Sequence, residues 1–148
     1  DALKDAAVIL VVTGAGGSLG KMLAVTKIGD YLGSTLAQYS LGLFLPFVIA
    51  AAIKTAQGSS TVALVTTSAI LAPMLESLGY AGEHGRVLMV MAIASGSMVV
   101  SHANDSYFWV VSQFSRMEVA TAYRAHTTAT LLQGVVGILA VWALSLVF

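Results

Sequence analysis

Asp105 is the one carboxylate lying deep in an apolar part of this chain, and an ionisable residue at such depth is a functional candidate by default. Desolvation disfavours an ionised carboxylate, so an acid placed there is suited to taking up and releasing a proton. His102, three residues earlier, is a second proton carrier by type, because imidazole titrates close to neutral pH without help. The plainer use of Asp105 is as N-cap of the apolar helix that follows, and the two uses are compatible. Around these two, Ser101, Asn104 and Ser106 add hydroxyl and amide groups that can bind a small polar solute. A second polar cluster, Gln57, Gly58, Ser59, Ser60 and Thr61, has the same composition of hydroxyls, an amide and a glycine. Its three hydroxyl residues sit where a new helix would start, and they can cap orphan N–H groups or help that helix end hold an anion. Lys54, one turn before the cluster, is the cation deep in this region; it either attracts an anionic substrate or snorkels its ammonium to the surface.

Both clusters interrupt long hydrophobic stretches. Residues are 57% hydrophobic and 9% charged, against about 45–50% and about 25% in an ordinary soluble domain. That composition belongs in a membrane. Tyr31 to Ile53, Thr55 to Leu75 and Thr127 to Phe148 carry no Asp, Glu, Lys or Arg, and each meets the length of about 20 residues that a spanning helix needs. Four to six membrane segments are expected, nearly all helical. Backbone broken at membrane depth survives only when buried in protein or lining a cavity that something polar occupies. Discontinuous helices of this kind hold substrates and ions near the midplane of transporters. With zero net charge and no Lys/Arg-rich run, nothing marks a nucleic-acid surface, and the lack of cysteine removes thiol chemistry.

Along the chain, a helix is expected over about Thr35 to Thr55, kinked at Pro46. After the break at Gln57 to Thr61, Val62 to Leu75 should form a second helix that closes at Pro73 and reaches a charged loop, Glu76 to Arg86. Two apolar arms with an uncharged tip favour a re-entrant hairpin over two full spans, because a water-exposed tip would carry charge. Val87 to Val100 should run back in, interrupted at Ser95-Gly96-Ser97 and again at Ser101 to Ser106, before Tyr107 to Phe114 leads out. The final helix is expected over about Thr127 to Phe148, with Gly134 and Gly137 offering a close-packing face. Thr13 to Lys21 resembles a nucleotide-binding turn, but Ala15 and Met22 stand where a phosphate loop needs glycine and a hydroxyl, and Leu19 where a dinucleotide turn needs glycine. A bent or close-packed membrane helix is the better reading. His84 and His126 fall in or beside expected loops without metal-ligand spacing. No hydrolase triad can be traced, and the positive-inside count ties.

Three segments carry a family resemblance: Val12 to Lys21, Ala51 to Thr67, and Ser101 to Phe114, the last two being the specific ones. Through them the chain resembles the C-terminal part of the gluconate permease family, proton symporters for gluconate and related small hydroxy or amino carboxylates. The resemblance implies an all-α membrane protein of the ion-transporter type, with a re-entrant helical hairpin plus a discontinuous helix forming one inverted-repeat half. Residues 1–148 would be a single transmembrane domain, the C-terminal repeat of a longer transporter, acting with the missing N-terminal repeat or with a second copy. Gln57, Gly58, Ser59, Ser60, Thr61, Ser101, His102, Asn104, Asp105 and Ser106 would bind substrate, Asp105 or His102 would carry the proton, and Lys54 would set local charge. No cofactor or metal is implied, nucleic acid is not a partner, and sodium suits such breaks as well as protons do. The bacterial inner membrane is the implied location, and transport rather than enzymatic catalysis the implied activity. The rival reading is a membrane module that packs with a partner and transports nothing itself.

Overall fold

The computed structural model describes residues 41–147, together with six earlier helical positions, Ala7, Val11, Gly14, Ser18, Met22 and Val25. Among the described residues there is helix and turn and no strand. The elements are α1 (Phe44–Gln57), α2 (Ser60–Leu71) prolonged by a 3-10 turn (Ala72–Met74), α3 (Glu83–Ser97), α4 (Ser106–Phe114) and α5 (Val119–Leu144). A π-helical turn, Tyr123–Thr127, lies inside α5. Of the glycine loop, Gly14 and Ser18 are helical and exposed, with the Ser18 hydroxyl donating to the Gly14 carbonyl; the rest of Val12 to Lys21 lies outside the described residues.

Several boundaries differ from those expected. The helix that ends at Gln57 starts at Phe44, after Gly42 in a left-handed conformation, and Pro46 therefore falls in its first turn; Thr35 to Ser40 of the expected helix lie outside the described residues. There the missing N–H has no intrahelical partner to lose, so Pro46 does not kink the helix. Thr55 to Leu75, uncharged and long enough to span, is divided by the turn at Gly58 and Ser59. The helix expected from Val87 begins at Glu83, whose carboxylate in the first turn complements the helix dipole. It passes through Ser95 and Gly96 without interruption and ends at Ser97. The last helix starts at Val119 rather than Thr127, taking in Arg124 and His126. No glycine or proline stands between Val119 and Gln133, and a charge marks a solvated face without ending a helix.

α3 is the central element, packed against α1, α2 and α5. The contacts are close because the meeting residues are small. A Cβ on Gly96 would lie 2.2 Å from the Phe47 carbonyl oxygen of α1, beside Ala50 and Ala92, which are fully buried. On the α5 side, Gly134 would meet Val99 at 2.1 Å and Gly137 the Ser95 hydroxyl at 2.8 Å, so this glycine pair forms the close-packing face its spacing suggests. Leu71, Met74, Met89, Ile93, Ile138 and Val141 fill the core between these contacts.

Helix lengths divide the elements into two kinds. The 26 residues of α5 reach about 39 Å at 1.5 Å each, and α5 is the one described helix long and apolar enough to cross a membrane. With 14 residues, α1 reaches only about 21 Å, against about 30 Å of hydrocarbon.

Replacing Gly96 by Val should lower the thermal unfolding midpoint in detergent, at a cost of about 1–3 kcal/mol or more, because the Phe47 backbone cannot yield. Gly137→Ala should cost less, since the facing Ser95 hydroxyl can rotate away. A Gly96→Val variant that melts like the parent would show that the α1–α3 approach is not tight.

Candidate functional site

The α1 helix ends where Gly58 turns left-handed, at φ +83°, and its N–H bonds back to the Lys54 carbonyl at 2.8 Å. Ser59 is extended, and its hydroxyl accepts the Val62 N–H at 3.3 Å as N-cap of α2. Glycine at 58 answers two needs at once. It takes the positive φ cheaply, and it makes room for the second polar break, since a Cβ there would lie 2.2 Å from the Asn104 carbonyl oxygen. The hairpin tip and the α3–α4 break are therefore in direct contact. The Thr55 carbonyl, left over at the end of α1, accepts from Asn104 Nδ2 at 2.9 Å and from His102 Nε2 at 3.0 Å.

Behind that contact lies an ion pair. Lys54 is 1% exposed and Asp105 7%. The Lys54 ammonium donates to Asp105 Oδ2 at 2.5 Å and to the Gly58 carbonyl at 2.7 Å. The Ser101 hydroxyl donates to the same Oδ2 at 2.5 Å, and Oδ1 accepts the Tyr107 N–H at 2.9 Å, which caps α4. Asp105 is thus both N-cap and counter-ion, and Lys54 turns inward instead of snorkelling. An ammonium and a carboxylate without partners would each cost several kcal/mol at this depth, so neither is tolerable alone.

The break is longer than its polar cluster, running from Met98 to Asp105. Within it Val100 has φ +51°, a conformation that a β-branched residue adopts only when its surroundings force it. The force comes from α5. Ser101 N–H donates to Thr130 Oγ1 at 3.0 Å, and the Thr127 hydroxyl donates to the Ser101 carbonyl at 2.6 Å. Ala103 is held by the Tyr123 hydroxyl at 3.4 Å and by Trp109 Nε1 at 2.8 Å. None of Thr127, Thr130 or Tyr123 is marked by the sequence as a residue of the site, and Trp109 is marked only as one of an aromatic trio, Tyr107 to Trp109, that packs the second half of the broken helix. The available signal was the group Thr127, Thr128 and Thr130 at the head of the uncharged stretch Thr127 to Phe148, with two hydroxyls one turn apart. His126 belongs to the π turn of α5 and not to a loop; its ring meets Tyr107 edge-on at 5.5 Å, and its Nε2 is buried without a hydrogen-bond partner.

An open cleft of about 540 Å³ lies between α2, α3 and α5, lined among others by Ser60, Thr61, Ser95, Ser97 and Gln133. The anticipated site residues therefore fall into separate groups. Ser60 and Thr61 face the cleft, Ser101 and Asp105 join Lys54 in the buried network, and His102 and Asn104 clasp Thr55. Gly58 is buried and Ser59 serves as a cap, whereas Gln57 and Ser106 are exposed.

Thr130→Val should strand the buried Ser101 N–H and destabilise the protein by about 1–3 kcal/mol, read as a lowered unfolding midpoint in detergent. Thr130→Ser should recover most of the loss, because it restores the hydroxyl; a Val variant that melts like the parent would remove α5 from its role in shaping the break.

The family model for GntP family permeases matches residues 1–147. The chain is 37% identical to the inner membrane permease YgbN of Escherichia coli (strain K12) over 143 residues, covering 95% of this chain and 31% of that protein. It is 37% identical to the low-affinity gluconate transporter of the same strain over 137 residues, 92% of this chain and 30% of the relative. A gluconate permease of Pseudomonas aeruginosa is 33% identical over 146 residues, 98% of this chain and 32% of the relative. The chain spans about a third of the length of these curated relatives. No solved structure matches it.

Proposed function

The chain belongs to the GntP family of permeases, and from that premise we propose that it is the C-terminal part of a proton-coupled symporter for gluconate or a related small hydroxy or amino carboxylate. The protein works in the bacterial inner membrane, where α5 crosses the bilayer. α1 and α2 enter and leave by one face as a re-entrant hairpin; their shortness against the hydrocarbon thickness supports this. The observation that carries the proposal is the Lys54–Asp105 pair, which joins two helix breaks inside an otherwise apolar layer. A purely structural hairpin has no need of two charges there, and intramembrane ionisable pairs mark substrate and ion paths.

In this reading the substrate carboxylate and hydroxyls are taken by polar groups of the tip, Gln57 to Thr61, and of the break, Ser101 to Ser106, with Ser60 and Thr61 reaching it through the cleft. Gln133 adds an amide donor and acceptor from α5. Asp105 or His102 carries the proton, and Lys54 sets the charge of the site. The facing half comes from the N-terminal repeat of the longer transporter, or from a second copy. Alternating access then moves one half against the other around this site.

The test is uptake of labelled gluconate by the whole transporter in proteoliposomes. An inward proton gradient should drive accumulation, a protonophore should collapse it, and a sodium gradient alone should not replace it. Accumulation that follows sodium would replace the coupling ion, and no uptake of any hydroxy or amino carboxylate would end the substrate assignment.

A further inference from the structure

We propose that Lys54 is the residue that binds the substrate carboxylate, and that Asp105 is an internal stand-in for that carboxylate which occupies Lys54 while the site is empty. The inference deepens the transporter reading and rests on it. Each partner is anchored to its own element by bonds that do not involve the other. Lys54 Nζ also donates to the Gly58 carbonyl of the hairpin tip. Asp105 also accepts from Ser101 and from the Tyr107 N–H of α4. The Nζ–Oδ2 contact is thus one bond that can be exchanged while the tip and the helix cap keep their local hydrogen bonds.

Charge then sets the order of events. The empty site holds one ammonium and one carboxylate and is neutral. A proton from water adds to Asp105 Oδ2 and releases the ammonium, and a substrate monocarboxylate takes the vacated place. The loaded site holds the ammonium, a neutral acid and one carboxylate, and it is neutral again. A proton without substrate leaves the site at plus one, and a substrate without a proton leaves it at minus one. Both carry an uncompensated charge at membrane depth, where such charge is costly. Only the empty and fully loaded forms can therefore change sides, which gives one proton per substrate. Release reverses the steps: the monocarboxylate leaves, the proton returns to water, and Asp105 reclaims Lys54. The same count selects monoanions, because a dicarboxylate would leave the loaded site negative.

Among the described residues, no other titratable side chain is hydrogen-bonded to the pair. His102 bonds to Thr55, and on α5 Tyr123 and His126 contact Ala103, Tyr107 and Phe108. α2 has no acid or base, and Glu83, His84 and Arg86 of α3 lie in its first turn, at the end away from the break.

Gluconate binding and flux in the whole reconstituted transporter test this, with glucarate and gluconamide as dianionic and neutral controls. The parent should bind gluconate more tightly as pH falls and discriminate against both controls. Lys54→Gln should weaken gluconate binding roughly tenfold or more, the loss of a charged hydrogen bond, while Lys54→Arg retains it. Asp105→Asn should bind gluconate with little change between about pH 5 and 8, exchange it across the membrane, and lose proton-driven accumulation. Either single neutral variant leaves a buried unpaired charge, so Lys54→Gln with Asp105→Asn is measured beside them. It should fold, bind gluconate weakly and no longer prefer it to gluconamide. Parent-like gluconate affinity in Lys54→Gln or in the double variant, or parent-like pH dependence in Asp105→Asn, would overturn the exchange while leaving the transporter reading intact. A parent that neither binds nor moves gluconate or another hydroxy or amino monocarboxylate would end the transporter reading and the exchange with it.

Discussion

A buried ammonium and a buried carboxylate cannot be left apart, and the arrangement of the helix ends follows from that constraint. Lys54 sits in the last turn of α1 and Asp105 at the first turn of α4, so pairing them brings the hairpin tip and the α3–α4 break to one place. Gly58 permits the approach because a side chain there would strike the Asn104 backbone. The leftover carbonyl of Thr55 is then satisfied by His102 and Asn104, groups supplied by the other break. Each backbone interruption thus provides hydrogen-bonding partners that the other requires.

The helices around this point are drawn together by small residues. Between helices in lipid there is little hydrophobic gain from association, so van der Waals contact over closely approached backbones carries more of the stability. Gly96 against Phe47, and Gly134 and Gly137 against Val99 and Ser95, are contacts of this kind. They also bring α5 close enough for Thr127 and Thr130 to hold both backbone groups of Ser101. Packing and site geometry are consequently coupled: the glycine face of α5 lets its threonines shape the break, and the break positions Asp105. Away from that face, Leu132, Val136 and Leu139 of α5 are exposed, as suits a helix that meets lipid or further protein.

Much of this was legible in the residue order, for physical reasons that act over short distances. Composition alone requires a membrane setting, and compact polar clusters inside apolar stretches locate both helix breaks. Asp105 as an N-cap and Gly134 with Gly137 as a packing face are likewise local features, set by neighbours within a turn or two. Charge does not mark the helix boundaries: Glu83, Arg86 and Arg124 are all helical, because a helix tolerates charge on any face that need not be buried.

Sequence by itself therefore determined the solvent of this protein, the position of its two breaks and the type of side chain available at each. Tertiary structure alone decided the partners. Lys54 and Asp105 are 51 residues apart in the chain, Ser101 and Thr130 are 29 apart, and no local rule relates either pair. The propensities that start and stop helices are short-range and can be read along the chain. Which buried charge meets which, and which hydroxyl reaches which backbone group, depends on how whole helices pack.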